Sequence, residues 1–178
     1  FMYSNILRER KNDAEGARYA KMAAEKGHVG AMNNYGLDLY LGRGVQINLE
    51  ESARYFKMAA EKGNVNGMIN YGGALYNGKG VSVNKEDAAH FFKLAAEKGD
   101  VNGILNYSEM LFNGDGIQIN KIEAARYLKI AADKGHVKAM KSYALSLFEG
   151  EGVTVNKEEA AIYFKMAADL GDTEAMSN

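Results

Sequence analysis

The string Ala-Ala-Glu-Lys-Gly at residues 23–27 returns at 59–63 and 95–99, then as Ala-Ala-Asp-Lys-Gly at 131–135 and as Ala-Ala-Asp-Leu-Gly at 167–171. Each return comes 36 residues after the last. A fixed period of this length marks a solenoid, in which each unit is too small to bury its own apolar face and does so against its neighbours. The constraint falls on kind rather than identity: a stack offers long surfaces, and the repeat itself does not name what such a surface holds.

Punctuation identifies the units as helical. The chain has no proline, and its 20 glycines cluster at two recurring places. One is Gly-x-Gly-Val/Ile, at Gly42–Val45, Gly78–Val81, Gly114–Ile117 and Gly150–Val153. The other is the single glycine closing each Ala-Ala-Glu-Lys, at 27, 63, 99, 135 and 171. A lone glycine after a charged last turn is what a helix C-terminus wants, because the following residue commonly adopts the left-handed conformation. An Asn followed three residues later by an acid recurs as Asn12/Glu15, Asn48/Glu51, Asn84/Asp87, Asn120/Glu123 and Asn156/Glu159, the pattern of a capping box.

Each unit therefore reads as two helices, A (about 30–41) and B (about 49–62). On a helical wheel Ala31, Met32, Tyr35, Gly36, Leu39 and Tyr40 share one arc of helix A, nearly constant from unit to unit and expected to face the core. Tyr40 recurs there as Tyr76, Phe112 and Phe148. The opposite arc varies freely: Asn33 becomes Ile69, Leu105 and Lys141, while Leu37 becomes Gly73, Glu109 and Leu145. On helix B, Ala53, Tyr55, Phe56, Ala59 and Ala60 form the apolar arc, and the alanines allow close helix approach.

The order Ala-x-x-x-Tyr-Gly-x-x-Leu-Tyr-x-Gly-x-Gly-Val, an Asn three residues on, then Ala-x-x-Tyr-x-Lys-x-Ala-Ala-Glu-x-Gly resembles the Sel1-like repeat, and 30–63 carries almost all of it. The departures are small. Tyr35, Tyr71, Tyr107 and Tyr143 stand where family members often have Leu, there is no Trp on helix B, and Gly36 and Gly72 drift to Ser108 and Ala144. The resemblance implies an all-α fold similar to tetratricopeptide arrays: a right-handed α/α solenoid of about four complete 36-residue repeats at 29–64, 65–100, 101–136 and 137–172, with partial units at 1–28 and 173–178, all one domain. It implies an adaptor or scaffold role and no common catalytic residues.

The ends differ from the middle. Tyr3 and Leu7 keep the helix A spacing of Tyr107 and Leu111, which suggests a worn helix A before a helix B at 12–26. Yet the Gly-x-Gly-Val loop is missing, so either a short loop joins the two or residues are absent between Arg8 and Asn12. At the other end a further helix A is expected to begin near Thr173 with no capping helix, which points to a fragment of a longer array or to an end that meets a partner.

Composition excludes several classes. With 22 basic and 23 acidic residues interspersed along the chain there is no basic stripe, which disfavours nucleic acid. No apolar run approaches the roughly 18 residues of a membrane span. Without cysteine there are no disulfides, thiolate nucleophiles or Cys-ligated zinc. The absence of any targeting segment inclines the reading to the cytoplasm, with the ER lumen and secretion left open. The Gly-x-Gly loops follow a helix and lack the third glycine and preceding strand of a phosphate cradle. His28 and His136 are turn or cap residues three units apart, and His90 replaces Arg54 on the outer face of helix B, so no metal site is expected. The repeated acids are capping residues rather than a catalytic pair, since catalysis needs a unique constellation. No catalytic residue and no cofactor is assigned.

What remains is the variable arc. In related α/α superhelices helix A lines the concave side, so the resemblance implies one groove built from Asn33, Asn34, Leu37, Asp38, Ile69, Asn70, Ala74, Leu105, Asn106, Glu109, Met110, Lys141, Ser142 and Leu145, with exposed Ile69, Leu105 and Met110 as its apolar middle. The expected function is a non-enzymatic scaffold binding another protein or a peptide there. The alternatives are a structural or homo-oligomeric component that stacks through its uncapped ends, and the interaction segment of a larger protein such as a kinase.

Overall fold

The computed structural model describes residues 2–171, with side chains from Asn12 onward. Among these residues are nine helices and no strand: α1 (Met2–Glu25), α2 (Val29–Leu41), α3 (Leu49–Glu61), α4 (Val65–Asn77), α5 (Lys85–Glu97), α6 (Val101–Asn113), α7 (Lys121–Asp133), α8 (Val137–Glu149) and α9 (Lys157–Asp169). The even-numbered helices are the A helices; α3, α5, α7 and α9 are the B helices. The chain divides into two compact units, residues 1–91 and 92–178, with the boundary inside α5. No helix among the described residues is long and apolar enough to cross a membrane. The helix A expected near Thr173 lies outside the described residues.

One element departs from the sequence reading. The worn helix A, the loop and the helix B expected before residue 27 form a single 24-residue helix, α1. Without glycine between Arg8 and Asn12, nothing in that stretch favours leaving the helical conformation, and Asn12 is an interior helical residue instead of an N-cap.

Elsewhere the caps explain the boundaries. Asn48, Asn120 and Asn156 accept from the backbone N–H three residues on, at 3.0, 3.0 and 3.1 Å, and Asn84 does so from Asp87 at 3.1 Å. The capping acid differs from the usual box, in which it accepts from the N-cap backbone N–H. Here that N–H is already used: Asn48, Asn84, Asn120 and Asn156 donate it to the carbonyls of Leu39, Leu75, Leu111 and Leu147. These carbonyls lie in the last turn of the preceding A helix, where intrahelical donors have run out. The acid accepts instead from the Asn carboxamide, at 2.7 Å for Asn84–Asp87. One residue thus starts helix B and closes helix A. Asn64 and Asp100 cap the A helices α4 and α6 through Gly67 and Gly103, while His28 and His136 hold the same position without a side-chain cap bond.

Glycines 63 and 99 end their B helices in the left-handed region, and the next residue donates back to the Ala59 or Ala95 carbonyl. In the first unit Met32, Tyr35, Leu39, Tyr55 and Ala59 pack with Ala24 as a core. An edge-to-face aromatic pair recurs through the repeats: Tyr35–Tyr55, Tyr71–Phe91, Tyr107–Tyr127 and Tyr143–Tyr163, with centroids 4.9 to 5.5 Å apart.

The Gly36-to-Ser108 drift has a packing reason. A Cβ on Gly36 would lie 2.7 Å from the Phe56 ring, whereas two periods on, where Ser108 replaces Gly36, the smaller Leu128 replaces Phe56. Gly36→Ala should therefore destabilise by about 1 to 3 kcal/mol, as overpacking does. Adding Phe56→Leu should recover part of that loss in a denaturant titration; simple addition of the two costs would contradict the contact.

Candidate functional site

The A helices are buried on more than the single arc that the wheel assigned. Met110 and Ala74, expected in the groove, are 2% and 7% exposed. They lie toward the neighbouring helices, so the apolar middle of the groove cannot include Met110. Asn33 is also buried, because its Oδ1 accepts from the Asn70 carboxamide of the next repeat at 2.8 Å. Asp38 is half-buried with Arg43 3.4 Å away; burial raises its carboxyl above the ordinary value against the lowering effect of that guanidinium. Conversely, Tyr40 and Phe148, expected in the core, are 40% and 49% exposed. They sit at the rim where one repeat ends.

Two clefts open on this face, one in each unit. The first, of about 240 Å³, lies between α2 and α4 over α3. Of the residues assigned to the groove, Leu37, Ile69, Asn70 and, with the little exposure it keeps, Ala74 line it, and Tyr40, Phe56, Asn77 and Lys79 complete it. The second, of about 420 Å³, lies between α6 and α8 over α7. Of the residues assigned to the groove, Leu105, Glu109, Ser142 and Leu145 line it, joined by Phe112, Leu128, Glu149, Glu151 and Lys121. Asn33, Asn34, Asp38, Asn106, Met110 and Lys141 line neither. The clefts are one design used twice: Leu37, Tyr40 and Phe56 in the first correspond by two periods to Glu109, Phe112 and Leu128 in the second.

Their polar groups differ. The first cleft has amides and Lys79 with no carboxylate, while the second has Glu109, Glu149 and Glu151, the last ion-paired with Lys121. The residues that reasoning from one helix missed come from the last turn of helix A (Tyr40, Asn77, Phe112, Glu149), from helix B, and from the x of Gly-x-Gly, which reads Arg43, Lys79, Asp115, Glu151. That free variation beside fixed glycines was the available signal. A separate network joins Lys129, Asp133 and Tyr163: Lys129 donates to the Tyr163 hydroxyl at 3.0 Å, and Tyr163 donates to Asp133 at 2.5 Å. The bond to Tyr163 holds the Lys129 ammonium well above its ordinary pKa. Lys129 also lies 5.3 Å from the Tyr143 ring, so it braces successive repeats instead of forming only the solvated pair with Asp133.

The Sel1 repeat family model matches residues 7–28, 29–64, 65–100, 102–136 and 137–172. The chain belongs to the Sel1 repeat family. Sel1 repeat proteins are generally protein-interaction scaffolds and typically non-catalytic. Among solved structures, this Sel1 chain is similar to c5321, a protective antigen of uropathogenic Escherichia coli displaying an SLR fold, with a TM-score of 0.87 and 29% identity over 91% of this chain. It spans only 35% of that antigen's length. A Sel1 repeat protein from Oxalobacter formigenes gives a TM-score of 0.83 and 27% identity, covering 92% of this chain and 67% of the other. Helicobacter pylori cysteine rich protein B, at 21% identity and a TM-score of 0.58 over 74% of this chain and 94% of its own, shares the fold alone. A comparison with curated proteins gives no match. Unlike a chain named for its cysteines, this one has none, and its Sel1 repeats hold together by packing and caps.

Proposed function

We propose that this Sel1 array is a non-enzymatic binding module for a partner protein, each unit holding an extended segment of that partner against its A-helix face with its cleft as the anchor site. The observation that carries this reading is the recurrence of a cleft at the same repeat position in both units, lined where the sequence departs from the repeat. Half-buried Ile69 and Leu105 supply apolar walls bordered by amides and charges, the composition of an anchor pocket with a polar rim. Equivalent positions that the fold does not need to keep constant are free to encode a partner.

The test combines Ile69→Lys and Leu105→Lys. Cross-linked neighbours of the endogenous protein are identified by mass spectrometry, and the captured segment is then titrated onto wild type and variant. Affinity should fall by about thirtyfold or more, the loss of an anchor, while the melting temperature stays close to wild type. Undiminished capture would remove this face from consideration. A second reading, self-assembly, has its own observation. Ile162, Met166 and Leu170 form an exposed stripe on α9, where the earlier B helices carry Arg54 and Lys62 or Arg126 and Lys134 at the outer two positions. Sedimentation that shifts to dimer with concentration, and reverts in Ile162→Arg, would favour that reading.

A further inference from the structure

We infer that the cleft of the second unit receives a basic side chain, arginine in preference to lysine, of the partner segment; this rests on the peptide-binding reading above. The cleft gathers three carboxylates against one ammonium, and that ammonium, Lys121, is already paired with Glu151. Glu109 and Glu149 are exposed and make no salt bridge among the described residues. Neither is required by the repeat. Position 109 is Leu37, Gly73 or Leu145 in the other units, and position 149 is Leu41, Asn77 or Asn113.

Glu149 is moreover the last residue of α8, where the helix dipole is negative and a carboxylate is disfavoured. No basic residue occupies that last turn to offset it. Negative charge is thus concentrated at a position where it opposes folding, beside a concave apolar floor of Leu105, Phe112, Leu128 and Leu145. A cation entering the cleft would relieve it. The acids are not placed to hold a metal ion among the described residues, so the cation that fits is larger and carries its own apolar stem. An arginine side chain has that form: its methylenes lie along leucines and an aromatic ring, and its planar guanidinium offers several donors to carboxylates at the rim. The equivalent cleft of the first unit, with Lys79 and no carboxylate, lacks this preference and provides an internal control.

The experiment uses pools of short extended peptides fixed at the central residue as arginine, lysine, citrulline, leucine or glutamate. These are titrated onto the whole chain and onto the Glu109→Gln/Glu149→Gln variant. The arginine pool should bind wild type about tenfold more tightly than the citrulline pool. That ratio should collapse toward one in the double variant and shrink as salt is raised. The variant should melt at or above the wild-type temperature, since an acid has been removed from a helix C-terminus. Equal binding of arginine and citrulline pools, or an unchanged ratio in the variant, overturns the inference. If the leucine pool is then bound by wild type and lost in Leu105→Lys, the peptide-binding reading survives without it. If no pool distinguishes wild type from Ile69→Lys/Leu105→Lys, both fall.

Discussion

Gly80→Ala should destabilise the protein by about 2 to 5 kcal/mol, whereas Gly63→Ala should cost only about 1 kcal/mol. Both glycines have positive φ, +75° and +85°, so both substitutions carry the left-handed penalty of an L-residue. Their surroundings separate them. A Cβ on Gly63 would meet nothing within 4 Å, but one on Gly80 would lie 2.0 Å from the Leu49 carbonyl oxygen and 2.7 Å from the Glu50 nitrogen. Those are backbone atoms in the first turn of α3, which cannot rotate away as a side chain can. The same approach recurs where Gly44 meets Asp13 and Gly152 meets Lys121, at 2.1 and 2.0 Å, so the contact fixes the register of these three repeats on the helix that precedes them. Denaturant titrations of the two variants measure the difference; equal costs would show that the second glycine of Gly-x-Gly serves only the turn.

That pair of glycines also marks the limit of what sequence conveyed. From Gly27 to Gly171, periodicity exposed the turns and both helices of each repeat, because glycine spacing and Asn caps are local signals; before residue 27 it predicted a break that α1 does not have. It could not separate the two roles inside Gly-x-Gly: Gly42 and Gly78 end an A helix, while Gly44 and Gly80 admit a neighbouring backbone. The wheel failed for a related reason. It assumes one buried arc per helix, but α2 packs against both α1 and α3, and α8 against both α7 and α9, while Asn33 is tied to Asn70 of the next repeat; Asn33, Ala74 and Met110 are buried, and Tyr40 and Phe148 stay exposed at the rim. Leu37, Ile69, Leu105, Glu109 and Leu145 were legible as residues of the variable face, two clefts of which they line, because they vary on an otherwise constant helix. Lys79, Glu149 and Glu151 were not, since a helix end and a loop reach the cleft only through tertiary packing.

The fold should fail between about pH 10 and 12, through its aromatic pairs. Burial raises the phenols of Tyr35, Tyr55, Tyr107, Tyr127, Tyr143 and Tyr163, in each case as the leading cause, and takes Tyr107 to about 12 with further help from the Glu123 and Tyr127 charges. An unfolded phenol releases its proton near 10, so above that pH the unfolded chain holds fewer protons than the folded one. Stability then falls with rising pH. The contribution is complete below pH 10 and is lost as pH rises through the folded values. For Tyr107 alone the displacement amounts to at most about 3 kcal/mol, a large share of the roughly 5 to 15 kcal/mol of a typical domain, and the other phenols act in the same direction. Tyr107→Phe keeps the ring against Tyr127 while removing the ionisable oxygen. It should therefore shift the alkaline midpoint upward relative to its own stability at neutral pH. Far-ultraviolet dichroism followed against the phenolate absorbance that wild type shows and Tyr107→Phe lacks would check the coupling, because it sets aside exposed tyrosines such as Tyr19 and Tyr40. That difference signal and the helical signal should change together; a difference signal complete near pH 10 with the helices intact would mean that the Tyr107 hydroxyl reaches solvent without unfolding, and that its aromatic pair is not what alkali breaks.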